Sequence, residues 1–284
     1  MSERIIAVVG ATGRTGTPLV RALERRSARV RIARRVSQSD MASASVELRQ
    51  GDALDVESPV AAFEGADAIH YIPPPYDPRD AAYAYNIIAA AQRAGISRIV
   101  YHSVLHPATP EMPHHLRKSQ TELLLRHSPL TWTIIQPGMY AQSALAFFNA
   151  STGELMPAFE TTQPFTPIHE GDLAEAAAII HTTEGHAFAS YELAGSELLD
   201  FNAMGHGLSE ILGKPITTRK VSIDTLTSFI AAARNYSPEQ LREFCLMCDH
   251  YNLYGLAGNG NVLRMILGRE STTFAEAMRH SLSI

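Results

Sequence analysis

Three groups of residues in this chain combine types and spacing that could do chemistry. The first is the run Gly10-Ala11-Thr12-Gly13-Arg14-Thr15-Gly16. It lies between a continuous apolar run and a helical pattern. Glycines there permit a tight turn and close approach of a pyrophosphate, and the helix N-terminus adds free N–H groups and partial positive charge. Gly10, Thr12, Gly13, Arg14, Thr15 and Gly16 are therefore the expected phosphate-side contacts of a dinucleotide. The second group is Arg34-Arg35, which follows the second apolar run. NAD sites place an acid there to accept from the ribose 2′-OH. Here no acid stands, and guanidinium groups suit bidentate contact with a phosphate. The spacing predicts NADPH as the cofactor; a pair of solvated surface arginines is the alternative. The third group is His114, Lys118 and Glu122, which share one stripe of a predicted helix at i, i+4 and i+8. A histidine with a pKa of about 6.5 can donate a proton at neutral pH. The plain alternative is a solvated helix face with a Lys–Glu pair.

Elements must exist to place these groups. Short apolar runs at residues 5–9, 30–33, 46–48, 68–72, 99–102 and 132–135 predict six strands. Helical patterns alternate with them, among them an Ala-rich stretch over 79–94 closed by Gly95 and a helix opened by Pro113. That alternation predicts an α/β fold, a doubly wound parallel sheet of the Rossmann type. Ligands of such sheets sit at the carboxyl ends of the strands. Beyond residue 140 the pattern loosens. Residues 151–167 read as loop, 172–181 and 201–212 as helices, 191–193 as a strand, and 223–281 as mostly helical. The expected organisation is a dinucleotide-binding domain over 1–150 and a smaller, mostly helical substrate lobe over 151–284, interleaved with the first.

Bulk properties narrow the classes. The chain has 284 residues, 45% hydrophobic and 19% charged, enough to bury a full core. Its formal net charge is −5, without the basic surplus of a nucleic-acid binder. No apolar stretch is long enough to span a bilayer, no signal-peptide pattern opens the chain, and only Cys245 and Cys248 are present. These features predict a cytoplasmic protein with no membrane or nucleic-acid partner. A single Cys-x-x-Cys cannot complete a zinc site, and it reads as core. His169 and His181 lack ligand spacing, so no metal is expected.

The G-x-x-G-x-x-G spacing resembles the extended and atypical short-chain dehydrogenases/reductases rather than the G-x-G-x-x-G of classical dehydrogenases. The ordered set Gly10-Ala11-Thr12-Gly13, Arg35, Gly51-Asp52, the run from Phe63 to Asp67, Asn86, Lys118 with Glu122, Trp132-Thr133-Ile134-Ile135, Gly171-Asp172-Leu173-Ala174 and Gly268-Arg269-Glu270 resembles the NmrA-like family over nearly the whole chain. The resemblance implies that Asp52 and Ala53 lie near the adenine and that Pro73 and Pro74 line the path toward the nicotinamide. Asp52 is equally suited to a simple turn role. Lys118 would hold the nicotinamide ribose. Where classical relatives carry Tyr-x-x-x-Lys, this chain carries His114 in the tyrosine position. Ser103 would orient a substrate carbonyl, or serve as an ordinary cap. One departure stands out: many NmrA-like chains have Arg-Pro where this one has Gln136-Pro137.

The resulting expectation is an NADPH-dependent reductase of a small carbonyl, quinone or enone, with His114, Lys118 and Ser103 as catalytic candidates. The alternative is a redox sensor that binds the dinucleotide without turnover, favoured by the missing tyrosine. An epimerase would need that tyrosine and an acid after the second strand. The expected partner is a small-molecule substrate, and a homodimer is left open.

Overall fold

The computed structural model describes residues 4–34, 43–234 and 236–283. Its elements run β1 (Ile5–Val9), α1 (Gly16–Arg25), β2 (Arg29–Arg34), β3 (Val46–Gln50), α2 (Ser58–Phe63), β4 (Ala68–Tyr71), α3 (Asp80–Arg93), β5 (Arg98–His102), α4 (Pro113–Arg126) and β6 (Thr131–Pro137). A 3₁₀ segment (Ala141–Phe147) then leads to β7 (Phe148–Asn149), β8 (Glu154–Leu155), α5 (Glu170–Thr182), β9 (Ala189–Leu193), α6 (Phe201–Leu212) and β10 (Thr217–Thr218). The chain ends in α7 (Ile223–Arg234), α8 (Pro238–Tyr254), α9 (Asn261–Leu267) and α10 (Phe274–Leu282).

Seven strands form one sheet in the order β3-β2-β1-β4-β5-β6-β9. The pairings from β3 through β6 are all parallel. The strand order reverses between β1 and β4, and in open α/β sheets such a reversal opens the crevice where ligands bind. Side chains alternate across the strands. Ile69, Tyr71, Ile99 and Tyr101 join the core formed with α2 and α3. His70 and His102 alternate to the opposite face, where α5 brings up His181. This is the Rossmann-like, doubly wound architecture that the strand–helix alternation predicts.

The chain divides into two compact units. One comprises residues 1–108, 115–136 and 173–191; the other comprises 109–114, 137–172 and 192–284. The first contains β1 to β5 and nearly all of β6. The second holds a small sheet in the order β10-β8-β7, with β8 inside the stretch read from sequence as loop. Two-residue strands carry too little periodicity to be seen in sequence. Within this unit Asp172 is almost wholly buried and accepts from Arg269 Nη2 at 2.8 Å, from the Thr272 N–H at 2.6 Å and from Thr272 Oγ1 at 2.9 Å. Those bonds, with His169 beside it, outweigh burial and hold its carboxyl down at about 2. The Gly171-Asp172 and Gly268-Arg269 runs are thus two halves of one structural staple.

Candidate active site

The turn between β1 and α1 is built for close approach. Gly10 has φ +84°, and a Cβ there would lie 2.5 Å from the Ile72 carbonyl oxygen at the end of β4. A Cβ on Gly16 would lie 2.2 Å from the Gly10 carbonyl oxygen and 2.6 Å from Ala11 Cα. The bond from Gly13 N–H to the Gly10 carbonyl, 3.1 Å, closes the turn. Gly16 is buried, whereas Thr12, Gly13 and Arg14 are exposed and Thr15 is half-buried. Thr15 caps α1 without a side-chain bond, so its hydroxyl does not occupy the first N–H groups of the helix. The turn lies at the strand-order reversal. These features fit the pyrophosphate of a dinucleotide.

The neighbouring candidates separate into two kinds. Arg34 ends β2, half-buried, with no ion pair among the described residues; Arg35 lies outside the described residues. Asp52 Oδ1 accepts the Leu54 N–H at 3.0 Å, and the Asp52 N–H donates to Ser58 Oγ at 2.9 Å. This is an Asx turn, the simple role open to it from sequence. Ala53 offers its carbonyl to Asn86 Nδ2 at 3.1 Å, which ties α3 to the loop after β3. Pro73, buried, and Pro74, exposed, follow β4 directly.

The stripe on α4 faces inward. His114, Lys118 and Glu122 are 8%, 7% and 5% exposed, which removes the solvated-face alternative for all three. The Lys–Glu pair does not form. Lys118 Nζ instead donates to Asp80 Oδ2 at 2.5 Å, with both side chains buried. Glu122 Oε1 accepts from Ser103 Oγ at 2.6 Å and from Gln136 Nε2 at 2.7 Å, while Oε2 takes Arg126 Nη2 at 3.2 Å. The cap role for Ser103 is therefore replaced by a buried hydroxyl bonded to a carboxylate. Gln136 supplies an amide donor to the same oxygen. His114 lies one turn before Lys118 on the same helix; the division between the two compact units falls just after it.

Asp80 is the residue the sequence reading missed. An acid opening a helix just after a proline-rich turn was its only signal, and that pattern usually marks a favourable helix start. Burial pushes the Asp80 carboxyl up and the Lys118 ammonium down, and each opposes that effect on the other. Tyr71 and Tyr101 lie near this pair, with ring centroids 5.6 Å apart, and burial pushes both phenols up with the Asp80 charge assisting.

Elsewhere among the described residues no group of three or more His, Cys, Asp or Glu side chains is arranged to hold a metal ion. Cys248 is buried and Cys245 partly so, and burial raises both thiols. No described helix is long and apolar enough to cross a membrane.

Comparison with known proteins gives the same outline. The model of the NmrA-like family matches residues 2–276. Quinone oxidoreductase 2 of Escherichia coli is 26% identical, with 99% of each chain covered. An NAD(P)H azoreductase of Xenophilus azovorans is 27% identical over 96% of each. A crystal structure of the Escherichia coli NADPH-dependent quinone oxidoreductase in complex with NADPH superposes with a TM-score of 0.83 at 24% identity, covering 98% of this chain and 99% of that one.

Proposed function

This chain belongs to the NmrA-like family, and we propose that it is an NADPH-dependent reductase of a small carbonyl, quinone or enone. The observation that carries this reading is the turn at Gly10 and Gly16, whose missing side chains leave a backbone cradle at the head of α1. Relatives named as a quinone oxidoreductase and an NAD(P)H azoreductase match end to end and support the reaction class. Gly10, Thr12, Gly13, Arg14, Thr15 and Gly16 would hold the pyrophosphate. Arg34 and Arg35 would hold the 2′-phosphate, and Ala53, Pro73 and Pro74 would flank the adenine and nicotinamide ends. Asp52 would shape the adenine end through its turn rather than by direct contact.

When bound, the dihydronicotinamide supplies two electrons as hydride. The product also needs a proton, and the chain must deliver it. Lys118 would hold the ribose. His114, one turn away, would carry the proton to the substrate oxygen. Ser103 would set the orientation of the substrate carbonyl by turning its O–H from Glu122 to the carbonyl oxygen, and Gln136 would keep the Glu122 carboxylate fixed from the other side.

The test is turnover. Purified protein mixed with NADPH and a panel of quinones, aldehydes and enones should lose dihydronicotinamide absorbance with at least one class. Tight NADPH binding without turnover on any of them would favour the sensor reading. That reading draws on the histidine in the tyrosine position and on the engagement of Lys118 by Asp80.

A further inference from the structure

The contact between α3 and α4 joins two charges that water scarcely reaches. Asp80 Oδ2 accepts from Lys118 Nζ at 2.5 Å, and the side chains are 3% and 8% exposed. Among the described residues the second oxygen, Asp80 Oδ1, has no hydrogen-bond partner. Among the described residues Lys118 is therefore the hydrogen-bonded partner of this carboxylate, which the Arg117 charge also favours, and Asp80 is the counter-charge in contact with this ammonium. Other groups face the pair from each neighbouring element. Asp77 precedes α3 and favours the ammonium, whereas Arg117 on α4 opposes it. Tyr71 on β4 and Tyr101 on β5 both lie within reach of the Asp80 charge, and His102 on β5 feels Lys118. An ammonium this deeply buried tends to lose its proton unless an anion sits against it. Asp80 is the anion in direct contact.

We propose that Asp80 is a positioning residue for Lys118: its carboxylate fixes the ammonium in place and keeps it charged for contact with the dinucleotide. This rests on the reading of Lys118 as a cofactor-holding cation. A structural brace alone would also bring the two helices together. It would not make cofactor affinity depend on the protonation of a lysine. Asp80 on this account acts on the dinucleotide only through Lys118.

The experiment uses the full chain. Lysine Cε resonances are followed against pH in the cofactor-free protein, with Lys118 assigned from Lys118→Arg. In Asp80→Asn the Lys118 midpoint should fall by about 1–3 pH units, the range for loss of an opposite charge at this distance. NADPH affinity in Asp80→Asn should stay within a few-fold of wild type below that midpoint and drop about tenfold per pH unit above it. Lys118→Arg in the Asp80→Asn background should remove the pH dependence, because a guanidinium stays charged. In the wild-type protein the Asp80 Cγ and Lys118 Cε signals should share a transition, a measurement that needs no variant to fold. An unshifted Lys118 midpoint, a pH-independent loss of affinity, or unlinked wild-type transitions would each overturn the proposal. Wild-type NADPH affinity in Lys118→Met would overturn the cofactor reading beneath it. Weakened affinity in Lys118→Met with an unshifted midpoint in Asp80→Asn would overturn the Asp80 proposal alone.

Discussion

Gly16 packs so tightly on Gly10 that a Cβ added to it would lie 2.2 Å from the Gly10 carbonyl oxygen. The opposing atoms are backbone, and backbone cannot rotate away as a side-chain tip can. Gly16→Ala should therefore push α1 off the turn. Overpacking of this kind costs about 1–3 kcal/mol, and each kcal/mol lowers Tm by about 2–4 °C in a chain of this size. NADPH affinity should fall together with Tm in a thermal-shift and titration series. An unchanged Tm with full affinity would show that the cradle is looser than its geometry.

Cofactor preference should follow Arg34 and Arg35. The unmodified protein should bind NADPH more tightly than NADH. Replacing both arginines by Ala should weaken NADPH and leave NADH nearly unchanged, because only NADPH carries the 2′-phosphate. Fluorescence titration of both nucleotides checks this. Equal affinities in the unmodified protein would make both arginines solvated surface charges.

His114→Ala should spare NADPH binding and lower the reduction rate by roughly 10²–10⁴-fold, the usual loss of a general acid. The fall in rate toward alkaline pH, where the imidazole has no proton to give, should vanish with it. Lys118→Ala should weaken binding and rate together. A normal rate and profile in His114→Ala would move the proton source elsewhere and strengthen the sensor reading.

Acid should unfold this protein through three buried rings. His70 Nδ1 and His181 Nε2 share a hydrogen bond of 3.0 Å, and His102 meets His70 edge-on with centroids 6.0 Å apart. Burial is the main cause that pulls all three down, with His102 and His181 reaching about 3. The unfolded chain takes up protons first, as pH falls through about 6.5. Stability is then full above that pH and falls between it and about 3, by about 1.4 kcal/mol per pH unit for each of His102 and His181, and His70 acts in the same direction. Replacing His70 and His181 together by Leu should flatten this slope while costing little at neutral pH, since both partners of the bond are removed. Denaturant titrations at stepped pH provide the measurement; an unchanged slope in the double variant would sink the account.

Much of the molecule was legible before folding. Runs such as residues 5–9 are apolar throughout because both faces of a parallel strand are covered. The glycine turn announced itself because no other residue type meets its steric demand, and the stripe His114, Lys118, Glu122 follows from helical period alone. What the stripe faces did not follow. Period places side chains on one side of α4, but it cannot say whether that side meets water or protein. Only the tertiary structure sets Asp80 of α3 against Lys118, and Ser103 and Gln136 against Glu122. These partners lie 38, 19 and 14 residues away along the chain. The same holds for His70 and His181, which are 111 residues apart and meet only because a sheet face and α5 close over them. Local sequence selects the elements and the turns between them. Which buried charge answers which is decided by packing, because a desolvated group must take the partner that the closed fold leaves within reach.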